Sequence, residues 1–207
     1  VGSEMCIRDR FIRFAFASHF REFRNVSIRA RLLTSFLLVC LGIEVSGQTI
    51  GPTDWQTEQD FRASESAIVA DIQWLENNPV ATPTNDTKAI SEYVLAWLTN
   101  TPYISVTNDQ IFLDGIVDNK KFKYGEKFRV TYLFGKALYQ IQHQEIEDEV
   151  AATYSGIDGM VRVYAELKKF DPGLKNKQLA KYARLERSGK LEAYIIDELA
   201  DTANNFQ

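Results

Sequence analysis

The residues best suited to chemistry surround His143, one of two histidines in this 207-residue chain. Four acids follow it closely: Glu145, Glu147, Asp148 and Glu149. On one continuous helix, residues four apart lie on the same face. His143 and Glu147 could therefore share a cation, and so could Glu145 and Glu149. Zinc sites collect three or four ligands at recognised spacings, and no HExxH motif is present. The segment therefore predicts a cation site or a solvated corner whose carboxylates complement a helix dipole, and we favour the corner.

A second feature is a run of positive charge between residues 168 and 190. This segment contains two acids, Asp171 and Glu186. Its eight basic residues are Lys168, Lys169, Lys175, Lys177, Lys181, Arg184, Arg187 and Lys190. At helical spacing Lys177, Lys181 and Arg184 share one face, and Arg187 lies close by. Such a face would attract an anionic envelope partner, such as lipopolysaccharide or an acidic glycan, through forces that salt weakens. The alternative is an ordinary solvated helix face.

Other catalytic patterns do not occur in the sequence. No GxSxG turn surrounds a serine, no glycine-rich phosphate loop is present, and nothing selects a carboxylate pair for glycoside hydrolysis. We therefore predict no catalytic residues and no cofactor. The predicted function is a non-enzymatic binding or interaction module. The alternatives are a cation-dependent protein or hydrolase that uses the His143 corner, and a module that serves a single envelope protein.

An apolar run from Leu32 to Ile43 divides the chain. Arginines precede it and the small residues of Val45-Ser46-Gly47 follow, an arrangement typical of a secretory signal peptide. The run is too short for a transmembrane helix, which needs about 20 apolar residues. We predict that residues 11–47 are a leader cleaved after Gly47, and that the protein is periplasmic or secreted.

Residues 48–207 are then the mature domain, for which no transmembrane segment is predicted. Residues 1–47 contain seven of the 24 basic residues and four of the 28 acidic residues, so the mature domain has a net charge of −7. This acidity argues against nucleic acid as a partner. Both cysteines, Cys6 and Cys40, lie before the cleavage position, so the mature domain has no disulfide.

Apolar periodicity predicts an all-α domain of about six helices. The central pair is expected at 126–142 and 147–170, because these segments carry apolar residues on more than one side. Folded about the corner between them, the two helices would bring Gly135 opposite Gly156. We predict close helix packing there, with Gly159 nearby; room for a ligand is the alternative.

Two local signals concern the ends of other elements. Thr53 and Gln56 have the spacing of a capping box, which predicts the start of the first helix. Between residues 103 and 113, two short strands could form a β-hairpin around the turn-forming pair Asn108-Asp109.

Three stretches resemble a group of uncharacterised exported all-helical proteins of Bacteroidota. They are WLENNP at Trp74–Pro79, YVLAWLTNTP at Tyr93–Pro102 and LERSGKLEAYI at Leu185–Ile195. The resemblance implies export and a helical domain, and it implies no catalytic or binding residue. The first ten residues, VGSEMCIRDR, resemble a translated sequencing adapter from metagenomic assemblies, so we expect residues 1–10 to be an artefact.

Overall fold

The chain folds into an all-α domain. A computed structural model describes residues 51–79, 85–144 and 147–205. Within them lie seven helices: α1 (Glu58–Asn77), α2 (Asn85–Asn100), α3 (Gln110–Leu113), α4 (Gly125–His143), α5 (Glu149–Phe170), α6 (Lys177–Arg187) and α7 (Leu191–Asn205). The predicted all-α single domain is thereby confirmed. The adapter-like segment, the leader and its cleavage position all lie outside the described residues.

Helix α4 is central because it buries apolar side chains on two sides. Phe128 and Tyr132 belong to a core formed with α5, α6 and α7. Phe134, Ala137 and Ile141 belong to a second core formed with α1 and α2. The most extensive helix–helix contact of the described chain joins α4 to α5, and the bounds of both helices lie within two residues of those predicted.

Glycines allow α4 and α5 to approach closely. A Cβ atom on Gly135 would lie 2.6 Å from the carbonyl oxygen of Ser155, and one on Gly156 would lie 2.8 Å from that of Tyr132. Both distances are shorter than atomic contact permits, so no side chain fits at either position. Gly159 faces α1 instead, where a Cβ atom would lie 2.5 Å from Glu76 Oε1.

Helix α1 begins later than the sequence suggested. Its N-cap is Thr57, whose Oγ1 accepts from Asp60 N–H at 3.3 Å, while Asp60 Oδ2 accepts from Thr57 N–H at 2.8 Å. These two bonds complete a capping box, so the box predicted at Thr53 was wrong. The residues before Thr57 stay outside the helix, and the ring of Trp55 among them stacks on Phe61 with centroids 5.3 Å apart.

The hairpin suggested for residues 103–113 is not formed. Residues 110–113 are helix α3, and the stretch before them contains no strand. The side chain of Gln140 takes the place of a partner strand: its Nε2 donates to Ser105 O at 2.8 Å, and Ser105 N–H donates to Gln140 Oε1 at 3.2 Å. One buried amide therefore satisfies both backbone groups of Ser105.

Asn176 fixes the start of α6 and links it to the segment after α3. Its Oδ1 accepts from two backbone N–H groups of the first turn, both at 3.0 Å, and its Nδ2 donates to Gly115 O at 2.8 Å. Leu179 and Tyr182 are buried beneath the helix. The opposite side of α6, which carries most of the predicted basic face, is therefore turned towards solvent.

Candidate functional site

His143 ends helix α4 and is held by its own helix. Its ring stacks on the ring of Tyr139 with centroids 4.3 Å apart, and its Nδ1 lies 3.0 Å from the carbonyl oxygen of Tyr139. The next residue, Gln144, has a left-handed backbone with φ of 53°, which terminates the helix. The continuous helix that would have joined His143 to Glu147 on one face is therefore not present.

The acids of the predicted cation site do not gather around His143 in the described residues. Glu145 lies outside those residues, and Glu147 is exposed. Glu149 opens α5 and forms an ion pair with Lys136. The described part of the chain contains no group of three or more histidine, cysteine or acidic side chains placed to hold a metal ion.

A buried lysine forms the most complete polar cluster of the described residues. Lys136 is fully buried in α4, and its Nζ donates to Asp109 Oδ2 at 2.6 Å, to Thr107 Oγ1 at 2.8 Å and to Glu149 Oε1. The hydroxyl of Tyr132 also donates to Asp109 Oδ2, at 2.6 Å. The ammonium thus has three acceptors, the largest number that it can use.

The electrostatics of this cluster favour a structural role. Burial raises the pKa of Asp109, but the hydrogen bonds from Lys136 and Tyr132 outweigh it and lower the pKa overall. Burial, together with the neighbouring Asp109 carboxylate, raises the pKa of the Tyr132 hydroxyl. A charged, fully coordinated lysine offers neither a base nor a nucleophile, so the cluster cross-links α4, α5 and the 107–109 segment.

Two further acids are buried on α1. Glu76 Oε2 accepts from Arg162 Nη2 at 2.7 Å, whereas Glu76 Oε1 has no hydrogen-bond partner in the described chain. Burial raises the pKa of Glu76, and Arg162 opposes that effect. Asp71 is 3% exposed, its Oδ2 lacks a hydrogen-bond partner in the described residues, and burial raises its pKa to about 6.

The basic residues predicted to bind an anion lie on α6. Lys177, Arg184 and Arg187 are exposed, and Lys181 is half-buried with its Nζ 3.9 Å above the ring of Tyr194. We name these four basic residues the basic surface. A lysine over an aromatic face keeps its charge and gains attraction from the ring, so Lys181 is held in place without being neutralised.

The basic surface has no acidic partners among the described residues, although several basic residues on other helices do. Ion pairs elsewhere include Arg62 with Glu58, Lys88 with Glu92, Arg129 with Glu126 and Arg162 with Glu76. In the described chain, by contrast, no carboxylate forms an ion pair with the basic surface or with the flanking Lys175 and Lys190. Its positive charge is left for solvent, ions or a partner.

Comparison with known proteins gives no family model that matches the chain, and neither a curated protein nor a solved structure that is significantly similar to it. No activity, ligand or partner is therefore carried over from another protein. Among the described helices, none is both long and apolar enough to cross a membrane. The surface of the domain itself is the basis for a functional proposal.

Proposed function

We propose that this protein is an exported interaction module that binds an anionic component of the cell envelope through the basic surface of α6. The observation that carries the proposal is the group of solvent-facing basic side chains without acidic partners. Export is supported by the signal-peptide pattern before residue 48. The His143 corner supports the alternative less well, because His143 Nδ1 lies against a backbone carbonyl and Glu149 pairs with Lys136.

Charge distribution supports an anionic partner over an incidental charge run. The predicted mature domain is acidic overall, so a basic patch on it would orient the molecule towards a polyanion while the remaining surface is repelled. Arg184 and Arg187 offer planar guanidinium groups that can bind sulfate, phosphate or carboxylate groups in a bidentate manner. Because the basic surface is exposed, its attraction should weaken as salt is added.

The test is charge reversal on the basic surface. Lys177→Glu combined with Arg184→Glu should weaken binding to a soluble sulfated glycan by about 25-fold, since each basic residue near an anionic surface contributes about 1 kcal/mol. Both side chains are exposed, so the fold should be retained. Isothermal titration calorimetry at low and high salt would measure the dissociation constant.

The matched control is Lys88→Glu. Lys88 is an exposed lysine on α2, away from the basic surface, and its reversal should leave glycan binding within about twofold. The double variant changes the net charge by four and the control by two, so a control that loses half as much binding free energy as the double variant would show that only net charge matters. Glycan binding that survives the double reversal unchanged would exclude α6 as the site.

A further inference from the structure

The most exposed large apolar side chain of the described chain lies at the end of α5, seven residues before the first residue of the basic surface. Phe170, the last residue of α5, is 67% exposed, against 49% for Ile196 and 37% for Tyr154. It precedes the short turn Asp171–Asn176, which leads into α6. A single exposed apolar side chain is common on protein surfaces, so Phe170 points to a partner only through the charges that share its end of the domain.

A second lysine-bearing loop lies against the same turn. Lys123 Nζ is 3.6 Å from Asp171 Oδ2, and Asn176 Nδ2 donates to Gly115 O at 2.8 Å. These two contacts hold the loop from residue 115 to residue 124 beside the α5–α6 turn. The loop carries Lys120 and Lys121, both exposed.

The contacts therefore place several lysines at the end of the domain that carries Phe170. Lys120, Lys121 and Lys175 form no ion pair in the described chain, and Lys168 lies with its Nζ 5.4 Å from the ring centroid of Tyr164. We name this group of four lysines and Phe170 the basic tip.

We propose that the anionic partner is a lipid bilayer, and that the basic tip is the part of the protein that contacts it. This proposal rests on the proposed function: it names the class of anionic partner and adds the basic tip to the basic surface as a second region that contacts it. Phe170 would enter the boundary between headgroups and acyl chains, while the lysines would remain at the level of anionic headgroups. A soluble acidic glycan would satisfy the lysines, whereas a bilayer would in addition bury the Phe170 ring.

The contributions of the lysines and of Phe170 to bilayer binding can be separated, because they depend on different properties of the bilayer. Attraction of the lysines requires anionic lipid and falls with salt. Burial of the Phe170 ring depends on apolar area and is insensitive to salt. Stable peripheral binding usually combines two such signals, since a single weak anchor gives only marginal affinity.

The experiment measures co-sedimentation of the predicted mature chain, residues 48–207, with vesicles of phosphatidylcholine alone and of phosphatidylcholine mixed with phosphatidylglycerol. The leader is left out because its apolar run would itself bind lipid. We expect binding only to the mixed vesicles. Phe170→Ala should weaken that binding about tenfold, and should leave binding to the soluble sulfated glycan unchanged. Ile196→Ala is the matched control, because it removes another exposed apolar side chain outside the basic tip and should have no effect.

A fluorescent variant reports the position of the ring directly. On addition of mixed vesicles, Phe170→Trp should show a blue shift and quenching by lipids brominated on the acyl chains beyond those of the wild-type protein, whose three tryptophans set the background. Tyr154→Trp on α5 should show no such excess. Lys120→Glu should weaken vesicle binding by about fivefold or more, because it removes one headgroup contact and adds a repulsive charge.

The outcomes distinguish failure of this proposal from failure of the proposed function. Glycan binding without vesicle binding, or vesicle binding that Phe170→Ala leaves unchanged, would overturn the bilayer proposal and leave the basic surface as a polyanion site. Loss of glycan and vesicle binding together in Phe170→Ala would place Phe170 in a glycan site instead. If reversal of Lys177 and Arg184 changed neither interaction, the proposed function itself would be refuted.

Discussion

Replacing Asp71 by asparagine should stabilise the protein at neutral pH and flatten its stability profile in mildly acidic solution. Asp71 lies on the buried side of α1 and is only 3% exposed. Its Oδ2 has no hydrogen-bond partner among the described residues. Burial raises its pKa from 3.8 to about 6, because removal from water disfavours the charged carboxylate.

The size and sign of the effect follow from this difference in pKa. Each pKa unit corresponds to about 1.4 kcal/mol, so ionised Asp71 costs the folded state about 3 kcal/mol at neutral pH. The folded state takes up a proton before the unfolded state as pH falls, so stability should rise between about pH 6 and pH 4 and then level off. Asparagine removes this cost but places an amide donor where no acceptor is described, so we expect a net gain of about 1–2 kcal/mol.

Urea unfolding at several pH values would measure the effect. The wild-type protein should gain stability on going from about pH 7 to pH 4, and Asp71→Asn should lose most of that gain. Asp197→Asn, an exposed change on α7, should retain the wild-type profile. If Asp71→Asn were less stable than wild type at neutral pH with an unchanged pH dependence, Asp71 would be a well-solvated carboxylate and the reasoning from burial would be wrong.

Two further predictions concern the α4–α5 contact. Lys136→Met should lower the free energy of unfolding by about 3 kcal/mol, because it leaves Asp109 and Glu149 without their buried cation. Urea unfolding would measure this loss, and the stability should recover when Asp109→Asn and Glu149→Gln are added. A triple variant as unstable as Lys136→Met would contradict the cross-link. Gly156→Ala should lower the melting temperature through a cost of about 1–3 kcal/mol, since its Cβ would lie 2.8 Å from a backbone oxygen. Gly173→Ala is its control, because the corresponding Cβ would come no closer than 3.4 Å to Asp171 Oδ1; equal melting temperatures for the two variants would refute a tight contact.

The helices could be predicted because their signals are local. Apolar residues at helical spacing indicated α4 and α5 almost to their observed ends, and the two apolar sides of α4 correctly marked it as central. The start of α1 was misplaced because Thr53 and Thr57 both have capping-box partners at suitable spacing. Local sequence alone does not decide between two such candidates.

The polar groups inside the core could not be predicted in the same way, because their partners are distant in sequence. Lys136 interrupts the apolar stretch of α4 between Tyr132 and Tyr139, which was the one available signal, but its acceptor on Asp109 comes from 27 residues away. Gln140 likewise pairs with Ser105 across 35 residues and replaces the predicted hairpin. Only the tertiary fold brings such residues together. Spacing within one helix did, however, group the side chains of the basic surface.

The measurement that tests the central claim most directly is an NMR titration of isotopically labelled protein with a short sulfated oligosaccharide. Backbone amide signals report which residues meet the anion. Binding through the basic surface predicts the largest chemical-shift changes along α6, at Lys177, Lys181, Arg184 and Arg187, with the changes fading as salt is raised. Shifts concentrated at His143 and Glu147, or scattered evenly over the domain, would contradict the claim.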